Sequence, residues 1–110
     1  MWAAEALVDK AGAAISPVLH APREQLTPEA RGDVAVLIAA AKQRIVDTGL
    51  EIATKIFELA GARASASKYG LDRFWRNLRT HSLHDPLPYK RREVGAYALL
   101  GERPEPTWYT

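Results

Sequence analysis

The residues best able to do chemistry crowd into one stretch, Trp75-Arg76-Asn77-Leu78-Arg79-Thr80-His81-Ser82-Leu83-His84-Asp85, followed by Pro86. A histidine beside a carboxylate, His84-Asp85, can give or take a proton near neutral pH. At about 100° per residue the stretch reads as a helix with two unlike sides. Leu71, Trp75, Leu78 and Ser82 form a packing stripe anchored by the tryptophan. Arg73 and His84 fall nearly together on the other side, with Arg76 and Thr80 beside them and His81 at the edge. Pro86 stops the helix, because the residue before a proline is pushed out of the α region. His81 and His84 sit three apart, but no cysteine and no set of inward carboxylates accompanies them, so no metal site is expected. Taken alone, the histidine pair is structural, steadied by the negative helix end, and the arginine row is a solvated face.

A second group lies between Gly61 and Gly70, where Ala62, Ala64, Ser65, Ala66 and Ser67 surround Arg63 and Lys68. Backbone N–H groups, hydroxyls and cations in a compact turn can hold a phosphate. No P-loop pattern is present, and by spacing alone this is a solvated interhelical turn.

Four helices must position these groups. The first is expected from Ala3 to about Ile15 and ends at Ser16-Pro17; His20 in the loop beyond is a surface residue. Lacking an N-cap, that helix suggests a chain cut from something longer. Thr27-Pro28-Glu29 is a strong start: N-cap, proline at the first position, acid at the positive end. The pattern then runs to Ala60 with Gly61 as its stop. Gly32 and Gly49 are weak points inside it, each costing about 1 kcal/mol against alanine. A third helix spans Leu71 to His84. A fourth runs from near Pro88 to Leu100, with Val94, Tyr97 and Leu100 as its apolar edge and Gly101 as its stop. The tail after Glu102 carries Pro104 and Pro106 and is expected to be extended, with Trp108-Tyr109 docked. The fold expected is all-α: a four-helix bundle in one domain spanning residues 1–110, with one long central helix.

That central helix has a single polar stripe in its second half, Arg44, Asp47, Glu51, Lys55 and Glu58. Val34, Leu37, Ile38, Ala41, Ile45, Ile52 and Ile56 cover the opposite side, and Val46, Leu50, Phe57 and Leu59 widen the apolar arc. A helix apolar over most of its circumference belongs in the middle of something, and three short helices can hardly cover it completely; the other reading is a well-covered central helix of a monomeric bundle. A homo-oligomer, dimer or tetramer, or docking onto another domain is expected.

Other classes fall away. With 15 Lys+Arg against 13 Asp+Glu the net charge is +2, and the longest basic run is Lys90-Arg91-Arg92, so no nucleic-acid footprint is present. The apolar run from Val34 to Ala41 is far short of the roughly 20 residues of a membrane span. No signal peptide is visible at the start, and a cytoplasmic location is expected.

Three separated motifs occur in order: Glu58-Leu59-Ala60-Gly61-Ala62-Arg63-Ala64-Ser65, the stretch from Trp75 to Pro86, and Tyr89-Lys90-Arg91-Arg92-Glu93-Val94-Gly95. Together they resemble the C-terminal domain of flavin-dependent monooxygenases built on the acyl-CoA dehydrogenase fold. The likeness is greatest to the dibenzothiophene monooxygenase and sulfur-acquisition group. The resemblance implies that Gly61, Arg63 and Ser65 lie against the phosphate end of a flavin, most often a neighbouring subunit's. It implies that His84 reaches the flavin and substrate pocket and assists proton transfer there. Asp85 falls where ordinary acyl-CoA dehydrogenases carry their catalytic glutamate. Their Glu-Gly pair is replaced here by His84-Asp85-Pro86, which favours the oxygen-activating branch. Asn77 stands where relatives often carry Asp. The implied parent enzyme takes reduced FMN from a separate flavin reductase, FAD being the second choice, and oxygenates a sulfur-containing or aromatic substrate. Its N-terminal and middle domains build most of the flavin pocket, so this chain alone is expected to be inactive. Two rivals remain: a true acyl-CoA dehydrogenase C-terminal domain with Asp85 as base, and a stand-alone helical oligomerisation or docking module.

Overall fold

Thr27 opens the element on which the others lie. Its hydroxyl accepts a hydrogen bond from the Ala30 N–H at 3.1 Å, Pro28 takes the first helical position, and helix α2 runs Pro28–Ala60. Gly61 closes it at φ 76°, its N–H bonded to the Phe57 carbonyl at 2.9 Å. A β-carbon is disfavoured at that φ, which is why glycine stands there. At 1.5 Å per residue α2 is about 50 Å long, and it sets the 57 Å long dimension of the molecule.

The structure is a computed structural model that describes residues 1–107. Around α2 lie α1 (Trp2–His20), α3 (Asp72–His84) and α4 (Leu87–Leu100), with no strand among the described residues. Each packs chiefly on α2. The end of α1, Ile15 and Val18, shares a groove with Val34 and Ile38 near the start of α2. Helix α3 runs back antiparallel, placing Leu78 against Gly49 and Asp85 against Lys42. Helix α4 continues in the same direction, linked through Arg91 to Asp47 and through Tyr97 to Asp33.

The core between them is thin and built of small side chains: Ala4 and Ala11 from α1, Val36, Ala39, Ala41, Val46 and Ala53 from α2, and Leu87 from α4. Val46 alone is a larger side chain with no exposure. Alanines at the contacts let helix axes approach closely, and they leave the bulkier residues outside. Ile38, Ile45, Ile52 and Ile56, read from the sequence as the apolar side of α2, are 37–47% exposed. Leu59 is 87% exposed and continues the row, since Ile38, Ile45, Ile52 and Leu59 follow one another at intervals of seven.

Three expectations need correction. Helix α1 does not stop at Ser16-Pro17 but carries Pro17 inside it and ends at His20. A proline so near the C-terminus removes one backbone bond without breaking a following stretch, and His20 Nδ1 donates to the Ser16 carbonyl at 2.7 Å. Trp75 is not a buried anchor: it is 40% exposed, while Leu78 is half-buried and Ser82 buried. Leu100 is exposed, so the buried edge of α4 stops at Tyr97.

The first residues of the tail do dock. Arg103 forms hydrogen bonds to both carboxylate oxygens of Asp33, at 2.8 and 3.3 Å, and Arg31 donates to the Pro104 carbonyl at 3.1 Å. Gly32 lies directly beneath; a β-carbon there would come within 2.8 Å of Arg103 Cβ. The expected docking of Trp108-Tyr109 concerns residues outside those described.

Candidate functional site

His84 is the last residue of α3 and is exposed. Asp85 is the C-cap, held extended at φ −125°, ψ 93° by the proline that follows. The α3–α4 corner, α4 and the tail enclose a cleft of about 880 Å³, whose wall includes His84, Asp85, Tyr89, Arg92 and Arg103. Asp85 also borders a smaller cavity of about 270 Å³ between α1 and α2, so it forms part of the partition between the two.

Its carboxylate is occupied. Lys42 of α2 donates to Asp85 Oδ2 at 2.7 Å and to the Asp85 backbone carbonyl at 2.9 Å. Lys90 of α4 approaches the same Oδ2 at 3.7 Å and bonds both carboxylate oxygens of Glu93 at 3.2 Å. Side-chain exposures of 15% for Lys42 and 6% for Lys90 put these ion pairs largely out of water, where charge-assisted hydrogen bonds are short and strong. Asp85 Oδ1 is buried and makes no hydrogen bond among the described residues.

The arginines of α3 are placed by local partners. Arg73 stacks over Phe74 with 5.1 Å to the ring centre, and Arg79 over Trp75 with 5.7 Å. Such cation–π contacts favour an aromatic ring left at the surface. Arg76 pairs with Asp72 one turn earlier at 3.1 Å. His81 is exposed, and no group of three or more metal-ligating side chains occurs among the described residues.

The other candidate residues sit at the far end of α3. Residues Ala62–Ser65 form one 3₁₀ turn. Ser65 donates its hydroxyl proton to the Ala62 carbonyl at 2.7 Å. Arg63 is exposed and makes no ion pair among the described residues. Gly61 would meet nothing within 4 Å if it carried a β-carbon, so its backbone edge is open to an incoming group. Helix α3 has 13 residues, about 20 Å of rise. Within one chain, therefore, Gly61, Arg63 and Ser65 are not brought together with His84 and Asp85.

Lys42 and Lys90 are the residues that sequence reasoning passed over. A signal for Lys42 existed: it interrupts the apolar side of α2, four residues after Ile38 and three before Ile45. A lysine there needs an acid from another helix.

Residues 1–87 match the family model described as acyl-CoA dehydrogenase, C-terminal domain. The chain is 47% identical over 83 residues to dibenzothiophene monooxygenase of Rhodococcus erythropolis, a match covering 76% of this chain and 20% of that protein. It is 44% identical over 90 residues to a probable FMNH2-dependent monooxygenase of Pseudomonas putida, covering 82% and 23%. Among solved structures, FMN-bound TdsC of Paenibacillus sp. A11-2 superposes with a TM-score of 0.90 at 38% identity, over 99% of this chain and 27% of that one. Methanesulfinate monooxygenase of Pseudomonas fluorescens superposes with a TM-score of 0.90 at 43% identity, over 98% and 28%. The chain thus spans about a fifth to a quarter of the length of the curated relatives it matches.

Proposed function

The chain belongs to the acyl-CoA dehydrogenase C-terminal domain family, and from this premise we propose that it is the C-terminal helical domain of a flavin-dependent monooxygenase. In that enzyme it forms part of the oligomer core, touches the flavin phosphate and walls the active site. It acts with the N-terminal and middle domains of the same enzyme, in the cytoplasm. Among the described residues no helix is long and apolar enough to cross a membrane.

One observation carries the reading. Asp85, which the resemblance aligns with the dehydrogenase base, has its carboxylate turned to Lys42 and Lys90, while His84 is exposed on the cleft. A carboxylate bracketed by two ammonium groups is poorly placed to abstract an α-proton from an acyl-CoA. A histidine at the mouth of a cleft is well placed to hold or deliver a proton at an imidazole nitrogen. His84 is the proton-handling group, and Asp85 serves it by holding the turn.

The residues of the 61–65 turn suit the phosphate end of FMN. Arg63 supplies an exposed cation, the Gly61 backbone leaves room, and Ser65 can rotate its hydroxyl from Ala62 to an anion. Reduced FMN from a separate reductase supplies the electrons by which oxygen gives one atom to the substrate and the other to water. FAD is the second choice; the names of two relatives favour FMN. Because turn and cleft lie about 20 Å apart along α3, each serves a different flavin of the assembly. The exposed isoleucine row on α2 supports a homo-oligomer, a dimer or tetramer, and is also what a purely structural oligomerisation module would show.

The test uses the full-length enzyme carrying this domain, with reduced FMN, oxygen and either an aromatic sulfur compound or an alkane sulfinate. Oxygen transfer is expected, with His84→Ala lowering kcat by about 10²-fold, the lower range for lost acid–base assistance. In a parallel reaction of the same enzyme with oxidised flavin and an acyl-CoA, formation of the enoyl product with reduction of the flavin would replace the proposal by the dehydrogenase reading. The 110-residue chain by itself is expected to turn over nothing.

A further inference from the structure

We propose that Lys42 is a positioning residue: it clamps the C-cap of α3 and so sets the direction in which His84 is offered to the cleft. The inference rests on the reading of His84 as the proton-handling group, but its evidence is independent of any flavin.

The last carbonyls of a helix have no partner within the helix, and a residue forced out of the α region by a following proline is free to lead the chain in several directions. At the end of α3 that freedom is removed from outside. The Lys42 ammonium contacts two points on Asp85, the carboxylate at 2.7 Å and the backbone carbonyl at 2.9 Å, from 43 residues away in sequence. Its stem emerges beside Ala41, in the best-buried part of α2. On the other flank Lys90, itself braced by Glu93, faces the same carboxylate oxygen. Ser82, two residues before His84, is 2% exposed and bonds the Arg79 carbonyl at 2.6 Å.

The consequence falls on His84 through the shared peptide. With Ser82 buried before it and Asp85 bonded after it, the Cα–Cβ direction of His84 has little latitude. Lysine suits the task because it is a compact point charge with three donors, able to serve a carboxylate and a carbonyl at once. A neutral side chain of the same length would leave the Asp85 carboxylate without its shortest partner.

The experiment is NMR on the 110-residue chain, comparing the parent with Lys42→Met and Lys42→Arg. In Lys42→Met the amides of Leu83 and His84 are expected to exchange at least tenfold faster and the His84 ring resonances to move. The amide of Val46 should keep its rate. Lys42→Arg should restore part of the protection, since the charge returns in a different shape. Unchanged exchange at Leu83 and His84 in Lys42→Met would overturn the proposal. Should Lys42→Met fail to fold, Asp85→Asn keeps the side-chain shape and removes the anion, and the same local loss is expected. Global unfolding of both variants would also overturn the proposal, because Lys42 would then serve the whole core. In the full-length enzyme Lys42→Met should lower kcat without changing KM for reduced FMN. If His84→Ala leaves turnover intact while the local NMR changes stand, the catalytic reading fails and the clamp survives.

Discussion

The side chain of Arg103 occupies the space that a methyl group on Gly32 would need, its Cβ, Cδ and Cγ lying 2.8, 2.9 and 3.1 Å from where that methyl would be. Glycine in mid-helix costs about 1 kcal/mol against alanine, and here the cost is offset by a crossing strand of tail. Gly32→Ala is expected to strengthen α2 locally and expel residues 102–105. The amide resonances of Arg103 and Glu105 should move to random-coil positions; unchanged resonances would refute the crossing.

Gly49→Ala should behave differently. Its β-carbon would come nearest to the tips of Leu78, at 3.1 and 3.2 Å, and a leucine tip can rotate away. Helix gain and packing loss then nearly cancel. Chemical denaturation should give a stability within about 1 kcal/mol of the parent.

The tail should come off in acid. The Asp33 carboxyl is held below its ordinary value of 3.8, first by its hydrogen bond from Arg103, with burial working against this and Tyr97 adding to it. A depressed carboxyl stabilises the docked state above the unfolded value and loses that contribution as pH falls through the folded one. Resonances of Arg103 and Glu105 should hold steady from pH 7 to about 4 and change below that. In Asp33→Asn the tail should be loose at neutral pH, with no transition in the acid window.

Burial separates two aliphatic positions on the same helix. Val46 has no exposure, and Val46→Ala is expected to cost about 2 kcal/mol from lost burial and a cavity. Ile52 is 47% exposed, and Ile52→Ala in a dissociated chain should cost less than about 1 kcal/mol. Equal losses in thermal denaturation at low concentration would contradict the packing described.

The isoleucine row makes a prediction about mass. Light scattering over a concentration series should show a dimer or tetramer for the parent chain. Ile45→Lys combined with Ile52→Lys should give a monomer with unchanged helical content, since charges opposed across a dry seam are costly. A monomeric parent at high concentration would sink the oligomer-core role.

What could be read from the residues was mostly punctuation. Thr27-Pro28, Gly61, Gly101 and Asp85-Pro86 bound their helices because capping and φ restriction are local effects, decided within a few residues. The motifs from Glu58 to Gly95 carried the family. What could not be read was decided by contacts across the chain. Pro17 stays helical at the end of a helix that packs on α2. Trp75 lies outside because Arg79 covers one face while small residues fill the core. The value of Gly32 and Gly49 depends on Arg103 and Leu78, more than 25 residues away. Lys42 is intelligible only with Asp85 in view. The candidate site was therefore half legible: His84 and the 61–65 turn were proposed by motif, whereas the contact of Lys42 with Asp85 is seen only in the structure.

The length of α3 has a consequence for inheritance of defects. If the turn before it serves one flavin and the corner after it another, then Arg63→Ala and His84→Ala spoil different sites. Assemblies reconstituted from both impaired variants would contain some sites built from two sound contributions. Activity would return on mixing, whereas two variants damaged at the same end of the helix would never rescue each other.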